Sequence, residues 1–350
     1  MRHTPCGCNL VQELPTAFKF VSPYRLPLTR TARRVGVPYD LRPHPRRRAR
    51  RLGAPVQELP TFHYFIPNGG DTMRPIRRAV KTLLVLAALL LFFYWQNFSI
   101  QTEEVTVASP ALPAAFDGLR VAEIADLHGR QFGTDSSGLL HAVANADPDL
   151  ICIDGDFFDE NTDLLMLPPL LEGLVRIAPT YYVTGNHEFQ VTQRNEVFSL
   201  MEQCGVCVLR NEYTLLTRGE ASIVIAGVDD PCGAYDRKMP DELVAEIRSE
   251  VGPDAYILML AHRNDTLPMW SELGVQLVLT GHCHGGVVRL PFVGGVFGTE
   301  RTLFPEYDAG LFVSGETSLF VSRGMGYSRV HLRLFNRPHL PVLILRHADS

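Results

Sequence analysis

The chain has 350 residues, of which 46% are hydrophobic and 20% charged, with a formal net charge of −5. That size holds one large domain or two small ones, the composition is ordinary for a globular protein, and an odd count of seven cysteines argues against a disulfide-stapled secreted scaffold. Charge is unevenly placed: residues 1–81 carry 16 Lys/Arg against 4 Asp/Glu, and the remainder 17 against 34, so a basic head precedes an acidic body.

Residues 1–72 are rich in Pro and Arg, show neither helical nor strand periodicity, and are read as a disordered or irregular basic extension. A solvated stretch is the plain account of its arginines and a nucleic-acid tail the sharper one, while Met73 is a candidate natural start. Arg74, Arg77, Arg78 and Lys81 then precede an apolar run from Leu83 to Trp95. Residues 79–100 are expected to form one transmembrane signal-anchor helix, with Lys81 snorkelling and Tyr94 and Trp95 at the far interface. A cleavable signal peptide has a similar apolar length, but Gln96-Asn97-Phe98 offers no small-residue cleavage site. Arg77-Arg78 faintly resembles a twin-arginine export signal. The basic flank places the N-terminus in the cytoplasm and the body outside, as a single-pass protein of the cell membrane.

Residues 101–116, ending in Pro110 and Pro113, read as a linker, and 117–348 as one domain. Within it, strands are expected over Leu119–Ala125, Leu150–Asp154, Tyr181–Thr184, Ser222–Val228, Tyr256–Ala261, Val275–Thr280, Ser318–Ser322 and Pro341–Arg346. Helices are expected over 136–145, 162–176, 195–203 and 241–250. Such alternation predicts an α/β domain whose sheets are covered by helices. Cys204 and Cys207 form a lone CxxC, either two small residues near a helix end or a redox pair. His141, His331 and His339 are read as satisfied core histidines.

Five of these strands end on metal-type side chains: Asp126-Leu127-His128, Asp154-Gly155-Asp156, Gly185-Asn186-His187-Glu188, His262, and Gly281-His282-Cys283-His284. In open α/β sheets, sites form at the carboxyl ends of strands. Side chains two apart share a face of an extended strand end, and the glycines before Asp156, Asn186 and His282 permit tight turns. Carboxylate, imidazole and amide make a mixed N/O donor set suited to Mn, Fe, Zn or Co.

The order D-x-H, G-D, G-N-H-E, H, G-H-x-H resembles the signature of the calcineurin-like metallophosphoesterases over roughly Leu119 to Arg346. Phe116–Arg120, Leu260–Arg263, Phe304–Gly310 and Val321–Gly326 are further similar to its membrane-anchored bacterial branch, typified by YkuE and YaeI. The resemblance implies a four-layer α/β/β/α sandwich with two central mixed sheets, here preceded by one transmembrane helix. It implies two divalent metal ions: one held by Asp126, His128 and His284, one by Asn186, His262 and His282, with Asp156 between them. His187 would be catalytic, as proton donor or oxyanion stabiliser at the leaving group.

Two cations ~3.5–4 Å apart can activate a bridging water for attack on phosphorus and neutralise the developing charge, with His187 protonating the departing oxygen. Asp154 and Glu188 are read as hydrogen-bonding supports for ligands, and Arg263 either contacts substrate phosphate or forms a surface salt bridge. Cys283, where many relatives have Thr, is an oxidisable neighbour and not a ligand. A protein serine/threonine phosphatase would be expected to show an Arg after the D-x-x-D and before G-N-H-E; here Asp159 is followed by Glu160 and Thr184 precedes Gly185, so that reading loses ground, and the acidic body disfavours nucleic acid. The expected function is hydrolysis of a phosphodiester of a membrane-proximal or lipid-linked compound. Phosphomonoesterase, nucleotide-type phosphodiesterase and a non-catalytic binding module are the alternatives.

Overall fold

The computed structural model describes residues 73–233, 238–299, 302–327 and 331–348; the basic extension over 1–72 lies outside them. Two compact units divide between Ala79 and Val80. The first is described only in the opening turns of helix α1 (Met73–Phe98).

Among the described residues no helix is long and apolar enough to cross a membrane, which corrects the span expected over 79–100. Lys81 limits the apolar stretch at one end, and at the other Gln96 and Asn97 are buried in protein. Asn97 Oδ1 accepts the Arg333 backbone N–H at 2.8 Å, and the Asn97 carbonyl accepts from the Arg130 guanidinium. Between these ends Leu83, Leu84, Leu90, Leu91 and Tyr94 are exposed.

Residues 101–116 are not simply a linker. They hold β1 (Gln101–Ser109), which pairs in parallel with the last strand from Gln101 opposite His339 to Ser109 opposite His347. The chain continues through β2 (Arg120–Ile124), α2 (Ser137–Asn145), β3 (Leu150–Asp154), α3 (Leu167–Ile177), β4 (Thr180–Val183), α4 (Arg194–Gln203) and β5 (Cys207–Val208). It then forms β6 (Glu212–Arg218), β7 (Ala221–Gly227), α5 (Pro240–Glu250), β8 (Ile257–Leu260), α6 (Leu267–Glu272) and β9 (Leu277–Thr280). A hairpin of β10 (Arg289–Leu290) and β11 (Gly294–Gly295), then β12 (Gly310–Ser314), β13 (Thr317–Val321) and β14 (His339–His347) complete it.

Two mixed six-stranded sheets result, ordered β1-β14-β2-β3-β4-β5 and β12-β13-β9-β8-β7-β6. Alternate residues of each strand point to opposite faces, and burial follows that alternation. Val121, Leu150, Cys152 and Val183 of one sheet meet Ile225, Leu258, Leu260, Leu279 and Phe320 of the other. Ala122, Ile124, Ile151 and Ile153 instead face α2, α3 and α4 through Leu139, Leu170 and Phe198. Val224, Ala226, Ile257 and Val278 face α5 and α6 through Leu243, Ile247 and Trp270. Three apolar cores thus separate helix, sheet, sheet and helix. Strands β2, β3 and β4 run parallel, as do β8 and β9, so their carboxyl ends gather where the chemistry-bearing residues follow.

Candidate metal centre

Five of the seven expected ligands, Asp126, His128, Asp156, His282 and His284, hold a left-handed backbone with φ between 48° and 63°. For residues with a Cβ this costs about 1 kcal/mol or more each, and such strain persists where surrounding structure over-determines it, commonly at functional sites. Glycine serves where a close approach demands it. A Cβ on Gly185 would lie 2.3 Å from Asp156 Oδ1, and one on Gly324 (φ 68°) 2.7 Å from Asp126 Oδ2.

The turns bring the side chains together. One donor atom each from Asp126, His128, Asp156 and His284 lies within 4.8 Å of the others, and the same holds for Asp156, His262 and His282. Asp156 belongs to both groups. His128 Nε2 lies 3.3 Å from His284 Nε2 and 3.8 Å from Asp156 Oδ2, and His284 Nε2 lies 3.8 Å from Asp126 Oδ1. In the second group His262 Nε2 is 3.1 Å from Asp156 Oδ2 and 3.2 Å from His282 Nδ1. Donors ~2.1 Å from one tetrahedral cation stand about 3.4 Å apart, so these separations suit metal-sized spaces. Two buried oxygens, Asp126 Oδ2 and Asn186 Oδ1, have no hydrogen-bond partner, which fits a donor set made for cations. Asn186 sits between Gly185 and His187, whose backbone N–H donates to Asp156 Oδ1 at 2.8 Å.

Electrostatics follow from burial and proximity. Burial lifts the Asp126 carboxyl to about 6 against the pull of His262. Burial would lift Asp156 too, but the charge and hydrogen bond of His262 hold it well below the usual carboxylate range. For His262 burial pulls downward, and the charges of Asp156 and Asp126 overcome it and raise the imidazole to about 10. Burial, with His128 close by, depresses His284 well below the usual value.

Around these residues stands a supporting ring. Glu188, expected as a support, accepts the backbone N–H groups of Asp156 (3.0 Å), Phe157 (2.7 Å) and Gly185 (2.8 Å), pinning both metal-site turns. Asp154 supports through its carbonyl, which lies 2.8 Å from His262 Nδ1. Its carboxylate lies instead beside that of Glu123, and the oxygens of both are buried without a hydrogen-bond partner. Burial, with Asp154 beside it, pushes the Glu123 carboxyl well above the usual carboxylate range. Arg263 is committed to protein: Nε donates to Asp230 Oδ2 at 2.6 Å, and a second nitrogen lies 3.0 Å from His282 Nε2. That leaves it orienting a metal-site histidine.

His187 lies in a third group with His128 and Asp159, its ring centroid 4.8 Å from that of His128. Cys283 is buried and burial pushes its thiol up to about 12, which keeps it a neutral neighbour. Of the three histidines read as core residues, His339 is buried, whereas His141 and His331 are exposed.

Three supporting residues escaped the sequence reading. Asp159 Oδ2 lies 3.2 Å from His128 Nδ1, and its position three residues after Asp156 was the available signal. Asp230 holds Arg263. Asn336 donates to the His284 carbonyl at 2.7 Å, and nothing local in the sequence marks it.

Residues 119–286 match the family model described as calcineurin-like phosphoesterase. The metallophosphoesterase YkuE of Bacillus subtilis is 30% identical over 261 residues, covering 72% of this chain and 88% of that protein. The phosphodiesterase YaeI of Escherichia coli is 31% identical over 233 residues, covering 65% and 82%. Among solved structures, the phosphopantetheinyl hydrolase PptH from Mycobacterium tuberculosis aligns with a TM-score of 0.39 and 13% identity, covering 61% of this chain and 92% of that one.

Proposed function

Because this chain belongs to the calcineurin-like phosphoesterases and is a metal-dependent phosphoester hydrolase, we propose that it cleaves a phosphodiester on a lipid-linked or otherwise membrane-proximal compound. The observation that carries this reading is the place of Asp156 in both donor groups, the arrangement two cations sharing one carboxylate require. Asp126, His128 and His284 would hold one ion and Asn186, His262 and His282 the other. The mixed N/O set fits Mn, Fe, Zn or Co. When bound, the ions supply Lewis-acid stabilisation of phosphoryl charge and activation of water.

The chain's own residues do the rest. Asp156 holds the two histidine groups in register. Burial lowers the His187 pKa below the ordinary histidine value, so at neutral pH its imidazole is uncharged and offers an N–H to the leaving oxygen. Asp159 orients His128, and Glu188 fixes the turns. The relative YaeI is named a phosphodiesterase, which favours a diester. The exposed apolar side chains of α1 favour a substrate met at a lipid surface, with α1 seated there.

Metal analysis of the purified chain, with rates on an aryl phosphodiester, an aryl monoester, a cyclic nucleotide and a phosphodiester lipid in vesicles, tests the reading. Fastest turnover is expected on the vesicle lipid. Turnover confined to soluble nucleotides would sink the lipid assignment, and equal rates for the parent and Asp156→Ala would sink the enzymatic one.

A further inference from the structure

Directly after the last two metal-site histidines the chain turns through Gly285 and Gly286 into the β10–β11 hairpin. The junction is tight: a Cβ on Gly286 would lie 2.4 Å from Gly295 Cα, and the Phe297 N–H donates to the Gly286 carbonyl at 3.2 Å. A hairpin tip in water normally carries Asn, Asp or Gly. This one carries Phe292, fully exposed and at φ 67°, followed by exposed Val293. Leu290, Phe297, Leu303 and Phe304 are exposed on the same excursion, with Phe297 bridged to Leu303. Single exposed apolar residues are ordinary, but a group of this extent marks an interaction surface.

The apolar surface continues beyond the hairpin. Phe335, itself exposed, has its ring 5.7 Å from that of Phe92 on α1. The adjacent Asn336 reaches back to the carbonyls of His284 and Val287. Val288 at the hairpin base bridges Leu334, whose neighbour Phe335 meets Phe92 of α1, so the hairpin base adjoins α1 shortly after His284 in the chain. A lipid surface suits it, because bulky apolar rings on a short hairpin can enter the headgroup boundary without a shaped partner.

We infer that the hairpin over 287–299 docks on a lipid bilayer, with Phe292 and Val293 in the headgroup–acyl boundary, and so holds the metal centre against the phosphodiesters of lipid headgroups. This inference rests on the membrane-facing reading of α1 and deepens it.

The sequence supplies its own reporters, since it has two tryptophans: Trp95 exposed on α1, and Trp270 buried and blind to lipid. The full chain is reconstituted with vesicles of phosphatidylcholine or of its dibrominated form. Quenching in the parent reports α1 through Trp95, and additional quenching in Phe292→Trp reports the hairpin. The expected result is that the added fluorescence falls by about half. Parent quenching with no further loss in Phe292→Trp leaves α1 at the membrane and overturns hairpin docking, whereas quenching only in the variant supports the hairpin and removes α1. Phe292→Asp combined with Phe304→Asp is expected to slow hydrolysis of a vesicle phosphodiester about tenfold and to leave an aryl phosphodiester unaffected. Equal losses on both substrates, or a change from dimer to monomer on making the pair, would overturn the proposal in favour of a structural role or a second copy of this chain.

Discussion

The backbone N–H of His187 donates to Asp156 Oδ1 at 2.8 Å, which leaves Oδ2 as the oxygen facing His262 at 3.1 Å and His128 at 3.8 Å. One carboxylate therefore does two separate jobs. One oxygen holds the G-N-H-E turn and the other is turned toward both donor groups.

Asp156→Asn and Asp156→Ala should consequently differ. The amide keeps an acceptor for the His187 N–H but loses the negative charge, so folding should persist while metal content and diester turnover collapse, turnover by roughly 100-fold or more. Alanine also leaves that N–H unsatisfied and should lower stability by a further ~1–3 kcal/mol. Elemental analysis beside thermal unfolding separates the two; identical melting temperatures would contradict the split role.

Metal loading should depend steeply on pH. In the metal-free protein burial pulls His262 down, but Asp156 and Asp126 raise it to about 10, so a cation must displace its proton. Affinity should rise with pH from 6 to 9, with protons released on binding. Because the folded pKa exceeds the unfolded value, the stabilisation from protonated His262 is complete below about pH 6.5 and fades as pH climbs toward 10. The gain in melting temperature on adding Mn should therefore widen as pH rises. Calorimetry in buffers of different ionisation enthalpy counts the protons; none released at pH 7 would refute the scheme.

Asp159→Asn tests the orientation of His128. The carboxylate lies 3.2 Å from His128 Nδ1 and, against the downward effect of burial, helps raise that imidazole's pKa. Losing its charge should weaken metal binding or activity by about 10- to 100-fold, with far-UV circular dichroism unchanged. Full activity would show His128 to be oriented without it.

Gly324→Ala should damage the centre although Gly324 offers no donor atom to it. The added methyl would meet Asp126 Oδ2 at 2.7 Å, at a left-handed φ of 68°, so Asp126 must shift. Loss of bound metal exceeding loss of secondary structure is the expected outcome, and unchanged metal stoichiometry would count against this packing.

The domain boundary can be checked by truncation. A chain begun at Gln96 retains β1 and the docked Asn97, whereas one begun at Asp117 strips β14 of its neighbour β1 along nine residues and leaves β2 on its other side. An uncovered apolar strand edge invites aggregation. The shorter chain should be insoluble; a soluble, cooperatively melting product from Asp117 would restore the linker reading of 101–116.

Much of this was legible before the structure. The strands over Leu150–Asp154 and around Tyr181, Leu258 and Val278 are short apolar runs bounded by ligand-type residues, a pattern local enough to read directly. β1 was not legible: Gln101–Ser109 is polar at Glu103 and Glu104 and half-exposed along its length, because it is an edge strand whose stability comes from a partner some 240 positions away. The 79–100 segment failed in the opposite direction. Its apolar run suggested a span, but Gln96 and Asn97 belong to the folded domain.

By itself, the sequence determined which Asp, Asn and His residues follow five strand ends, since that is a matter of residue type and order. It also determined the α/β class, since apolar periodicity acts over a few residues. Only the tertiary structure decided that Asp156 falls in both donor groups, that Asp159 and Asn336 meet His128 and the His284 carbonyl, that Arg263 is tied to Asp230, and that the hairpin beyond His284 presents apolar rings outward. Those facts depend on distances between turns far apart in the chain, set by how two sheets stack.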